Sequence, residues 1–168
     1  LKLLSQLERF FLQDQKLSFT EGLYYILCEQ ILNDPSAKSK APIADLRKVK
    51  DELFRLMLAA EIELQPNSKD LVQVSRRIQD RLPLMMDSQF RVPTEFVLTI
   101  EGLRADFVKL NQVELRSKQK ILNILFENFK ADQNLSPLEA DLLRMICLAL
   151  KAPLPPLVEG ALRAQGGG

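Results

Sequence analysis

Apolar side chains recur along this chain at three- and four-residue spacing, the signature of helices with one buried face. Leu3, Leu4, Leu7, Phe10 and Phe11 predict a first helix over about residues 2–13. Ser18, with Glu21 three residues on, has the spacing of a capping box and opens a second helix to about Leu32. Asn33 to Pro42, with two prolines, two lysines and small polar residues, reads as an exposed loop. Leu46, Val49, Leu53, Phe54, Met57 and Leu58 predict a long helix from Ile43 to about Glu63, stopped by Gln65-Pro66-Asn67. Its other face (Asp45, Arg47, Lys48, Lys50, Asp51, Glu52, Arg55) reads as a solvated stripe of i,i+4 charge pairs. Leu71, Val72, Val74 and Ile78 mark a fourth helix, about Ser68 to Leu82, ended by Pro83.

Residues 83–93 show no clear period. A fifth helix is expected from Pro93 or Thr94 to about Leu110, on Phe96, Val97, Ile100, Leu103 and Phe107. Gly102 inside it costs about 1 kcal/mol against alanine unless a neighbour packs closely there. A sixth helix, about Gln112 to Lys130, begins charged and becomes apolar through Ile121, Leu122, Leu125, Phe126 and Phe129. Ser136 as N-cap, Pro137 at the first helical position and Glu139 at the third form the strongest helix start in the chain. The helix that follows, to Lys151, is apolar nearly all round, which places it at the centre of the bundle. Pro153-Leu154-Pro155-Pro156-Leu157 is expected to be extended, and Gly166-Gly167-Gly168 a flexible end. No strand pattern competes, so the fold class is all-α, a compact bundle of about six to seven helices.

The two capped helices are related. Asp14-Gln15-Lys16-Leu17-Ser18-Phe19-Thr20-Glu21 and Asp132-Gln133-Asn134-Leu135-Ser136-Pro137-Leu138-Glu139 share five of eight residues at a constant offset of 118. Each copy precedes an apolar helix, which predicts two related hairpins, 2–33 and 112–151. Linking helices over 43–110 join them, and a proline-rich tail over 152–158 follows, in a single domain of residues 1–165.

Composition narrows the chemistry. Of the 168 residues, 46% are hydrophobic and 27% charged, a globular balance. The net charge of +1 lacks the basic excess that phosphate neutralisation needs, which argues against nucleic acid; Arg76-Arg77 and Arg116-x-Lys118-x-Lys120 read as solvated faces. No apolar run approaches the roughly 20 residues that cross a bilayer. Because the chain starts at Leu1, it is expected to be part of a longer protein. Cys28 and Cys147 lie in apolar helical stretches, either as buried thiols or as a pair. The absence of histidine excludes Ser-His and Cys-His nucleophiles and H-E-x-x-H zinc sites within these residues.

The repeated motif has two readings. In one, the carboxylates Asp14 and Glu21, or Asp132 and Glu139, close on a hard cation across the turn. In the other it is local architecture: Ser18 and Ser136 cap, Glu21 and Glu139 reciprocate, Pro137 fixes the first turn, and leucine plugs the hairpin. Capping physics favours the second, since two ligands are few for Ca²⁺ and no third acid falls within either turn. Residues Pro153, Leu154, Pro155, Pro156 and Leu157 could present a polyproline surface to a partner or dock on their own domain.

The run Ala131-Asp132, Leu135-Ser136, Glu139-Ala140, Leu142-Leu143-Arg144, Ile146, Leu150, Pro153, Pro155-Pro156-Leu157 resembles the far C-terminus of bacterial membrane-bound zinc metallopeptidases, the HtpX-like peptidase family M-48. Asp14, Leu17-Ser18, Glu21 and Leu23-Tyr24 look like the first half of the same extension, and both copies resemble the TerB-type helical hairpin of tellurite-resistance proteins. Gln15 and Gln133 stand where that pattern often has glycine. The resemblance implies a non-catalytic accessory domain that binds a partner, positions substrate or regulates an attached peptidase on the cytoplasmic side of the inner membrane. It puts the catalytic zinc upstream and requires no cofactor in this segment. It also implies an alternative, a stand-alone TerB-like domain responsive to metal ions through its acidic residues. A plain oligomerisation module is a third reading.

Overall fold

The computed structural model describes residues 2–11, 16–33, 42–65, 70–82, 93–129 and 135–165, the last stretch without the side chains of residues 157, 162, 164 and 165. Eight α-helices are formed there: α1 (Lys2–Phe11), α2 (Phe19–Leu32), α3 (Lys50–Leu64), α4 (Leu71–Arg81), α5 (Ile100–Leu110), α6 (Leu115–Phe129), α7 (Pro137–Ala149) and α8 (Pro156–Gln165). A 3₁₀ turn, Leu46–Val49, leads into α3. Among the described residues there is no strand, only an isolated parallel bridge between Ile43 and Val113. The fold is all-α.

The two hairpins pack through their second helices. α1 lies on α2, α6 lies on α7, and α2 against α7 is the most extensive helix contact. Leu23 and Ile26 on α2 and Leu142, Leu143 and Ile146 on α7 are at most 2% exposed. Each such side chain contributes about 1.5–3 kcal/mol of burial.

The most enclosed helix is α3, not α7. It touches α2, α4, α5 and α7, and buries nine side chains, from Glu52 to Glu61. α7 instead leaves Leu138 and Leu148 exposed. Its buried residues include two small ones, Ala59 and Ala60.

Three boundaries differ from the periodicity. The helix expected from Ile43 starts at Lys50, because the Ile43 backbone is engaged elsewhere. Its N–H donates to Gln112 O at 2.8 Å and its carbonyl accepts from Glu114 N at 3.0 Å. Asp45 then caps Arg47 N at 3.0 Å. The helix expected from Pro93 or Thr94 starts only at Ile100, behind Thr99, whose hydroxyl accepts from Gly102 N. Residues 93–99 are non-helical, and Phe96 and Leu98 are half-buried while Val97 and Thr99 are exposed, a period of two. The proline-rich tail is not extended throughout. Pro156 becomes the first residue of α8, where its missing N–H costs nothing, while Pro153 to Pro155 remain non-helical.

α7 ends in a Schellman arrangement. Ala152 N donates to Cys147 O and Lys151 N to Leu148 O, with Lys151 in the left-handed region at φ 51°. Glycine usually occupies that position because a Cβ there crowds the following carbonyl.

Candidate functional site

Both copies of the repeated motif form complete capping boxes. Ser18 Oγ accepts from Glu21 N at 3.2 Å, and Ser18 N donates to Glu21 Oε2 at 2.8 Å. Ser136 Oγ accepts from Glu139 N at 3.2 Å, and Ser136 N donates to Glu139 Oε2 at 2.6 Å. Pro137 opens α7 at its first position. Glu21 and Glu139 are therefore engaged by backbone donors. Asp14 and Asp132, their proposed partners around a cation, lie outside the described residues. Of the plugging leucines, Leu135 is buried and Leu17 packs against the core.

The boxes differ in what surrounds them. At the first, Glu63 of α3 accepts from Phe19 N at 3.1 Å and from Thr20 Oγ1 at 2.6 Å, tying the start of α2 to the central helix. The second has exposed Leu138 at the position equivalent to Thr20.

Of the charged face assigned to solvent, Arg47, Lys48 and Asp51 are exposed, but Glu52 and Arg55 of α3 make interhelical pairs. Arg55 grips Asp106 of α5 with Nε at 3.2 and 3.0 Å from the two carboxylate oxygens, and Asp106 is only 6% exposed. Glu52, 8% exposed, accepts from Lys109 Nζ at 2.9 Å and approaches Arg55 at 3.5 Å, while its Oε2 is buried without a hydrogen bond. The sequence carried a signal for this: Glu52 lies one turn before buried Leu56, on the inward row. Glu61 accepts from Asn128 Nδ2 of α6, and Asn128 Oδ1 accepts in turn from Arg81 of α4. On the opposite side, Arg104 donates to Glu29 at 2.9 Å and to Tyr25 Oη at 3.0 Å, its guanidinium 5.6 Å from the Tyr25 ring centre. Burial pushes the Tyr25 hydroxyl above its ordinary pKa, against the opposing pull of Arg104.

Lys118 also departs from the solvated-face reading. It is 7% exposed on the first turns of α6, and its Nζ donates to Asn111 Oδ1 at 3.3 Å. Burial, and then the charge of Lys151, lower its pKa. Asn111, with Gln30, also donates to Ala149 O, both at 2.9 Å, so the C-terminal ends of α2, α5 and α7 converge here. Carbonyl-rich helix ends favour a nearby cation, which explains how a lysine without a carboxylate partner among the described residues is held there.

Both cysteines are free, Cys147 buried and Cys28 partly so, and burial pushes the Cys147 thiol up to about 12. The possible pairing is therefore absent. In the tail, Leu154 packs against the core and Pro155 is buried, whereas Pro153 and Pro156 are exposed. Leu157 belongs to α8, with its side chain outside the described set.

A small cavity of about 40 Å³ lies where the segment before α5 crosses α3, lined by Arg55, Phe96, Val97, Leu98, Gly102 and Asp106 among others. Its only charged groups are the mutually paired Arg55 and Asp106. Among the described residues, no cluster of three acidic or thiol side chains could hold a metal, and no helix is long and apolar enough to cross a membrane. No protein-family model, characterised protein or solved structure shows a significant match to the chain.

Proposed function

We propose that this chain is a non-catalytic helical accessory domain of the kind found at the C-terminus of HtpX-like membrane zinc metallopeptidases, with an interaction, substrate-positioning or regulatory role. The observation that carries the reading is the duplicated hairpin: two capping boxes, at positions 118 apart, each start the second helix of a pair, and those helices pack on one another. The disposition of the ionisable residues supports it too. Glu21, Glu139, Glu63, Asp106 and Glu29 are each committed to a cap or an ion pair, not gathered on a cleft. The encoded sequence upstream of Leu1 tests the proposal. It is expected to contain an H-E-x-x-H helix and membrane spans, and a reading frame without them overturns it.

The ion-responsive alternative requires Glu21 or Glu139 to exchange its backbone donors for a cation. Calorimetric titration with Ca²⁺, Mg²⁺ and Zn²⁺ decides this reading, and no heat at millimolar ion removes it.

A further inference from the structure

We draw no further inference here: the strongest candidate, the end of the bundle where the C-termini of α2, α5 and α7 converge beside buried Lys118 and leave Ile31, Val108 and Leu148 exposed, carries nothing, because those helix ends already account for the lysine and nothing in the structure shows what covers the apolar face.

Discussion

Alanine at Ser18 and alanine at Ser136 delete the same hydroxyl from the same sequence motif, yet the surroundings make the two losses unequal. Each removes the acceptor for an N–H at the third helical position, Glu21 N or Glu139 N, both at 3.2 Å. Loss of an N-cap serine costs about 0.5–2 kcal/mol. Ser136 is exposed, so water reaches the freed N–H and the cost falls near 0.5–1 kcal/mol. Ser18 is half-buried at a helix start that Glu63 clamps to α3, which restricts water and puts its loss near 1.5–2 kcal/mol. Urea unfolding of both variants, followed by far-UV circular dichroism, measures the difference, provided the slope with denaturant is unchanged. Glu63→Gln should separately cost about 1 kcal/mol, since Phe19 N and Thr20 Oγ1 lose a charged acceptor. Equal destabilisation by Ser136→Ala and Ser18→Ala, or an unchanged midpoint in both, refutes this assignment of unequal caps.

Four further outcomes follow from the packing. Asp106→Ala leaves Arg55 of α3 without its carboxylate partner on α5, and should cost about 2–3 kcal/mol, less than a fully buried pair because Arg55 is 45% exposed and Glu52 lies at 3.5 Å; a midpoint within error of the wild type refutes the assignment. Lys151→Gly should stabilise by about 0.5–1 kcal/mol by relieving a positive φ and removing the cation beside Lys118, as read from the thermal midpoint. Lys118 has its pKa lowered by burial and by Lys151, so the fold sheds that proton before the unfolded chain does. The wild type should therefore gain stability relative to Lys118→Met as pH rises from the lowered value toward 10.5, with no such difference in slope near neutrality. Native protein treated with a thiol reagent should label Cys28 well ahead of Cys147, whose thiol is buried and pushed up to about 12, and equal labelling before denaturation refutes that burial.

Local chemistry made much of this architecture readable from the residues. The serine and glutamate of each motif, three apart, specify a helix start without tertiary help, and both boxes form as the spacing demands. Seven of the eight helices lie where apolar spacing places them, α3 and α5 with later starts, and α8 is the one the prolines concealed. Segments where two periods compete were not readable. Phe96, Val97, Leu98 and Ile100 fit a helix face as well as an alternating strand, and Thr99 decides between them only as the cap actually used. Ile43 likewise belongs to an apolar helical stripe until Gln112 and Glu114, far along the chain, take its backbone bonds.

The helical class, the two capped helix starts and the chemistry excluded by the lack of histidine depend on residue type and on neighbours within one turn, so they are legible in the residues alone. Which charges are structural is instead settled by long-range packing. Glu52, Asp106 and Lys118 look like surface residues in a linear reading, and each is buried by a helix far away in sequence. The same packing places α3 in the middle in place of the more apolar α7. Pairing and burial are relations between segments, set by long-range packing that no local pattern encodes.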